Sequence, residues 1–170
     1  LGVTRRGPIV SRLSVVPNSI GSEGVKALME SPYLKRLHTL DMSGNRIGTK
    51  GIKHLVSSPL LKEMRSLNLA NNQFGLEGLK ELASSPSTQG LESLELGRNA
   101  IKDEGVKVLA SSPHFKSLRS LALGYNLIGD DGAKALASST YLKGLRSLDV
   151  QYNQIGQQGV TALKESPNLK

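Results

Sequence analysis

An asparagine recurs at Asn18, Asn45, Asn72, Asn99, Asn126 and Asn153, and every interval is 27 residues with nothing inserted or deleted. A fixed period between about 20 and 50 residues marks a solenoid, in which each unit buries its apolar face only against the next copy. The turn RLHTLDMSGNRIGTKGIKHLVSSPLLK shows the pattern. Leu37, Leu40 and Met42 precede the asparagine, Ile47 and Gly51 follow it, and Ile52, Leu55, Pro59 and Leu61 complete the unit. Residues 9–170 hold six such units and residues 1–8 form a lead-in, so the expected organisation is one domain of 27-residue repeats.

Within each unit the hydrophobic period switches. Leu67, Asn68 and Leu69 alternate with period two, which predicts a short strand with its leucines on one face. Val25, Leu28 and Met29 fall at i, i+3 and i+4, which predicts a short helix. Ser22, Thr49, Asp103 and Asp130 are the expected N-caps, whereas Leu76 and Gln157 are poor ones. Ser-Pro at Pro32, Pro59, Pro86, Pro113 and Pro167 should end the helices, because the residue before proline is driven out of the α region. Only Thr140 breaks that column. Thr88 replaces a core leucine, so the exit of the third turn is expected to be the weakest seam. Stacked strands lie about 4.8 Å apart and helices about 8 to 10 Å, so the coil must curve with its strands on the concave wall.

Residues common to all turns read as scaffold. The asparagine side chain carries both donors and acceptors where the chain leaves the strand, which suits a structural ladder satisfying backbone groups of its own and neighbouring turns. The glycines at Gly24, Gly51, Gly78, Gly105, Gly132 and Gly159 suit tight packing and match no phosphate-binding loop.

The pattern LxxLxLxxNxIGxxGxxxLxxSPxL, spelled out from Leu37 to Leu61, resembles the ribonuclease-inhibitor type of leucine-rich repeat, and the six units share its register. The resemblance implies an α/β leucine-rich-repeat solenoid, a horseshoe segment with a parallel concave sheet and short convex helices. It also implies protein binding along the concave face and its adjoining loops, often to mask or position an enzyme. The chain departs from the long animal inhibitors in its uniform 27-residue units and lack of cysteine, and its Ser-Ser-Pro exits are similar to the regular repeats of many bacterial proteins, host-directed effectors among them.

Nothing in the sequence suggests catalysis or a cofactor. His38, His54 and His114 fall at three different repeat phases and match no HExxH or HxH spacing, so no metal site is expected. Ser66, Ser93, Ser120 and Ser147 form a strand column without a positioned histidine to activate them. No apolar run approaches the roughly 18 residues that span a bilayer. The absence of cysteine fits a reducing cytoplasm, that of a host cell for a secreted effector.

The formal net charge is +8. Lys26, Lys53, Lys80, Lys107 and Lys134 should point outward from the helices, and Lys35, Lys62, Lys116, Lys143 and Lys170 stand at the strand entrance, so the excess is expected on the solvated outside. Nucleic acid is not the expected partner, because stacking aromatics are not interleaved with these lysines. The concave column Ser14, Asp41, Asn68, Glu95, Ala122 and Asp149 carries acid and no lysine. Beside it run Pro17, Gly44, Asn71, Arg98, Tyr125 and Tyr152, where the turns stop resembling each other. Variability on a copied scaffold is where specificity is written, and Tyr and Arg are enriched at binding hot spots. The expected partner surface is Glu95, Arg98, Tyr125, Leu127, Asp149, Gln151 and Tyr152, with Gly97 and Gly124 opening room for a loop and the acids favouring a basic segment of another protein. Val150, Ile155, Val160 and Leu163 lack a following repeat, so further chain, a partner or an end-to-end copy should cover them. The second reading is a structural solenoid segment of a longer multidomain protein whose activity lies elsewhere.

Overall fold

The computed structural model describes residues 10–169; the expected lead-in over residues 1–8 lies outside the described residues, as do Ile9 and Lys170. Each turn contributes one three-residue strand and one helix. In chain order they are β1 (Arg12–Ser14), α1 (Gly21–Met29), β2 (Thr39–Asp41), α2 (Gly48–Ser57), β3 (Ser66–Asn68) and α3 (Gly75–Ser84). The second half repeats the order with β4 (Ser93–Glu95), α4 (Lys102–Ala110), β5 (Ser120–Ala122), α5 (Asp130–Ser138), β6 (Ser147–Asp149) and α6 (Gln157–Lys164).

The strands form one parallel sheet in the order β1 to β6, and the register is the repeat itself: Leu40 pairs with Leu67, and Leu67 with Leu94. The central leucine of each inner strand is buried while its neighbours face outward, as strand alternation requires. Leu13 and Leu148, in the outermost strands, are only partly covered. Behind the sheet the apolar columns close into one core running from turn to turn. Gly132 belongs to that closure, since a Cβ there would lie 2.6 Å from both Asp103 Oδ1 and Ile128 Cγ2.

Helix entry differs from the sequence expectation. Ser22, Thr49, Asp103 and Asp130 do not cap their own helices; the N-cap positions are Ile20, Ile47, Phe74, Ile101, Gly129 and Gly156, with no side-chain capping bond. Three of the four serve the next turn instead. Asp103 Oδ1 accepts from the backbone N–H groups of Gly129 (2.7 Å) and Gly132 (3.0 Å), the entry of α5. Asp130 does the same for Gly156 and Gly159 at the entry of α6, and Thr49 donates its hydroxyl to the Phe74 carbonyl. Stacking brings the Asp103 and Asp130 carboxylates within reach of the orphan N–H groups one turn later.

The helix ends follow the Ser-Pro signal. Ser58, Ser85 and Ser112 have extended backbones, and so does Ser139, which precedes Thr140 rather than proline. Their buried hydroxyls also lie across the stack: Ser58, Ser112 and Ser139 donate to the carbonyls of Met29, Ala83 and Ala110. At the third exit, Thr88 is fully buried and donates its hydroxyl to the Ser85 carbonyl at 2.8 Å. The next turn places the larger Phe115, also fully buried, in the same column. A local hydrogen bond thus stands where the aliphatic contact is missing.

Candidate functional site

The variable column begins where each chain segment leaves its strand. There the backbone turns through the left-handed region on both sides of the repeated asparagine. Arg98, Tyr125 and Tyr152 have φ of 59°, 59° and 54°, and Ala100 and Leu127 have 53° and 61°. Such a conformation costs a non-glycine residue about 1 kcal/mol, so something must hold it.

The asparagines hold it. Asn126 Oδ1 accepts from the Asn99 N–H at 2.9 Å, and its Nδ2 donates to the carbonyls of Leu96 and Leu123, each at 3.0 Å. Asn45, Asn72 and Asn99 likewise accept from the backbone N–H of the preceding turn's asparagine. These amides replace the regular pairing that the loop has lost. Side chains on the left-handed residues then project from the rim of the sheet instead of folding onto it.

Three consecutive turns use that projection to build a stack. The Tyr125 and Tyr152 rings lie 4.4 Å apart between centroids with 16° between their planes. The Arg98 guanidinium carbon sits 3.9 Å from the Tyr125 centroid, placing a cation on the electron-rich ring face. The spacing matches the strand separation of about 4.8 Å beneath it. Both rings remain accessible, Tyr125 at 41% and Tyr152 at 68%, and Leu127 beside them at 49%. Three of the exposed large apolar side chains thus gather at one edge.

The remaining expected site residues are arranged differently. Asp149 is turned toward its own loop, accepting from the Gln151 backbone N–H and from Gln151 Nε2, each at 2.9 Å. Glu95 is exposed at the end of β4 on the concave face, one turn before Ala122 and two before Asp149. Gly97 and Gly124 do not open a recess: a Cβ on Gly97 would meet the Gly124 carbonyl oxygen at 3.2 Å, and Gly124 is buried. Their carbonyls accept from the N–H groups of Asn71 and Arg98. The space expected for a loop is bounded by the next turn, the Gly124 carbonyl standing against Gly97 and Gln151 against Gly124. A groove of about 850 Å³ opens on the helical side instead, between α3 and α4, lined by Glu77, Lys80, Lys107 and His114 among others.

Charge divides between the two expected lysine columns. The outward lysines are exposed, but acids interleave with them: Lys50 pairs with Glu23 at 2.6 Å, Lys80 with Glu77 at 2.7 Å, Lys53 with Glu81 at 3.5 Å and Lys107 with Asp131 at 3.8 Å. The hydrogen bond and charge of Lys50 hold the Glu23 carboxyl below its ordinary range. The helices are close to neutral, and the positive excess stands with the expected strand-entrance column of Lys35, Lys62, Lys116 and Lys143. The histidines stay apart. His38 is exposed, His54 buries an unpaired Nε2 on α2, and His114 Nδ1 lies 3.1 Å from Gln89 Nε2. Among the described residues no three His, Asp or Glu side chains converge as metal ligands, and no helix is long and apolar enough to cross a membrane.

Comparison with known proteins follows the repeat. The family model described as Leucine Rich repeat matches five times, at residues 34–56, 63–83, 90–110, 116–137 and 144–164. An internalin of Listeria monocytogenes has a similar fold, with 21% identity and a TM-score of 0.54 over 86% of this chain and 36% of that one. The chain thus spans about a third of the internalin's length. A chain from the yeast Rad7 and Elc1 complex aligns over 94% of this chain and 61% of its own with 13% identity and a TM-score of 0.38, too low to carry an argument. No curated protein matches the sequence.

Proposed function

The chain belongs to the leucine-rich-repeat family, and from that premise we propose that it is a noncatalytic protein-binding module of the ribonuclease-inhibitor type. It engages its partner with the concave rim of the fourth to sixth turns, and it regulates or inhibits an enzyme partner by covering it. The observation that carries this reading is the exposed stack of Arg98, Tyr125 and Tyr152. A ladder that repeats in every turn supports side chains that do not repeat, and rigid aromatics lose little conformational entropy on binding. Glu95 and Asp149 flank the stack with negative charge, which suits a basic segment of the partner. The uniform repeats favour a bacterial source and an effector-type role.

The test is capture of a partner on the immobilised chain, its identification, and a binding titration. Tyr125→Ala combined with Tyr152→Ala should weaken binding by at least about 2 kcal/mol while leaving the melting temperature nearly unchanged. Lys80→Ala with Lys107→Ala should do little at physiological salt. Binding abolished by the lysine pair and untouched by the tyrosine pair would move the functional face to the helices and overturn the assignment.

A further inference from the structure

The positive charge of this chain collects at the end of the sheet opposite the tyrosine stack. The six helices carry eight lysines and seven acids, and Glu30 and Glu165 at two helix ends bring the acids to nine. The segments running from helix exit to strand entrance carry Lys35, Arg36, Lys62, Arg65, Lys116, Arg119, Lys143 and Arg146, all exposed, against Glu63 and Glu92 alone. Most of the net charge of +8 therefore stands in one row along the strand entrances.

The row is organised by the fold. Arg65 Nη1 donates to the Gly90 carbonyl at 3.3 Å and Arg119 Nη1 to the Gly144 carbonyl at 3.0 Å, so each guanidinium lies across to the next turn. Glycine makes this possible, since a Cβ on Gly144 would collide with the Arg119 side chain. Glu92, 3.7 Å from Arg65, interrupts the row at its middle. Beyond it, Lys116, Arg119, Lys143 and Arg146 form a group whose two exits contain no acid. Arg119 and Arg146 are direct neighbours, because the Arg146 N–H donates to the Arg119 carbonyl at 2.8 Å. Like charges side by side on paired strands are destabilising. Of the eight charges in the row only Arg65 has an acid within ion-pair distance among the described residues, and although Glu92 pairs by its backbone with Arg119, Arg146 has another arginine on that side.

We propose that this edge, centred on Lys116, Arg119, Lys143 and Arg146, is a second interaction surface that takes an extended acidic segment of a protein partner. Alternate residues of an extended chain are about 6.8 Å apart, between the roughly 4.8 Å spacing of strands and the roughly 10 Å spacing of helices. Carboxylates on alternate residues thus meet successive turns, and the Arg119 guanidinium, already held at the Gly144 carbonyl, loses little freedom in binding them. A nucleic acid strand fits less well. The exposed aromatics beside the row are Tyr33 and Tyr141, in the first and fifth turns, so successive bases find no successive rings. This surface goes beyond the stack at the other end of the strands and is independent of it.

The experiment is a fluorescence-anisotropy titration of the whole chain with a labelled oligoglutamate peptide of about twelve residues. Binding should weaken as salt rises toward about 200 mM, as released counterions dictate. Arg119→Glu with Arg146→Glu should lower affinity at least about tenfold, and the milder Lys116→Gln with Lys143→Gln about threefold, with melting temperatures as controls. Lys80→Glu with Lys107→Glu makes the same change in total charge on the helices and should leave affinity within about twofold. Tyr125→Ala with Tyr152→Ala should leave it unchanged, which separates this surface from the stack. Equal losses in the edge and helix variants would reduce the effect to overall charge and overturn the site. Tighter binding of oligothymidylate or of phosphatidylserine vesicles than of the peptide would overturn the assignment of an acidic polypeptide.

Discussion

At the residue that leaves the strand, the first three turns carry Pro17, Gly44 and Asn71, and the last three carry Arg98, Tyr125 and Tyr152. The backbone beneath is the same left-handed turn, with φ of 71°, 56°, 59°, 59° and 54° from the second turn to the sixth. Helix entry divides the turns differently, the first four against the last two. Gly21, Gly48, Gly75 and Lys102 take left-handed conformations, and the N–H groups of Gly48 and Lys102 donate to the carbonyls of Asn72 and Asn126 at 3.0 and 2.9 Å. Gly129 and Gly156 are extended, and their N–H groups go to the Asp103 and Asp130 carboxylates. The donor is constant and its acceptor is exchangeable. The asparagine ladder is thus the invariant device, whereas surface and cap can be rewritten turn by turn without changing the fold.

The largest effect should come from the ladder itself. Asn72→Ala removes an acceptor for the Asn45 N–H and a donor to the Met42, Leu69 and Ala70 carbonyls, all inside the stack. It should cost about 1 to 3 kcal/mol in urea denaturation. The Asn18 side chain donates to the Val15 carbonyl in an exposed position, and Asn18→Ala should cost a few tenths. Half-buried Asn153 should fall between them. Equal losses at Asn72 and Asn18 would mean that the ladder does not draw its strength from the turns on either side.

A smaller effect isolates the two modes of helix entry. Asp103→Ala strands the N–H groups of Gly129 and Gly132 and should cost about 1 kcal/mol, with faster amide exchange at both residues. Ser22→Ala, in the same column of a turn that does not use it as a cap, should change stability by no more than a few tenths. Unchanged exchange at Gly129 in the Asp103 variant would show that the carboxylate is not what holds the entry of α5.

The smallest effect tells the stack's two roles apart. Gly44→Ala puts a Cβ at φ 71° and 3.1 Å from Pro17 Cβ, and should cost about 1 kcal/mol. Arg98→Gly relieves the same backbone at φ 59° while giving up the contact with Tyr125, and the two should nearly cancel, to within about 0.5 kcal/mol. A clear loss of stability in Arg98→Gly would mean that the stack serves the fold, and would remove the ground for reading it as a partner surface.

The legible part of this molecule is the part that repeats. The sheet register, the inward leucines, the helices and their Ser-Pro ends all follow from one period and two hydrophobic spacings, and the tyrosine column showed itself as the place where copies diverge. The backbone donors to Asp103 and Asp130 were not legible from local rules, because a capping signal is sought within one helix and these bonds span 26 to 29 residues. Arg119 on the Gly144 carbonyl escaped for the same reason, being 25 residues away. A signal does exist: an aspartate in the cap column one turn before a Gly-x-x-Gly, and an arginine one turn before an exit glycine.

What the sequence determined by itself is therefore the coil, since a period of 27 leaves an apolar strand-and-helix unit no way to bury itself except against its copies. Where polar and charged side chains place their bonds depends instead on the stacking of the turns. Residues a full turn apart in the chain are nearest neighbours in space, so caps, stacks and pinned guanidiniums form between turns. Their geometry exists only once the turns are stacked.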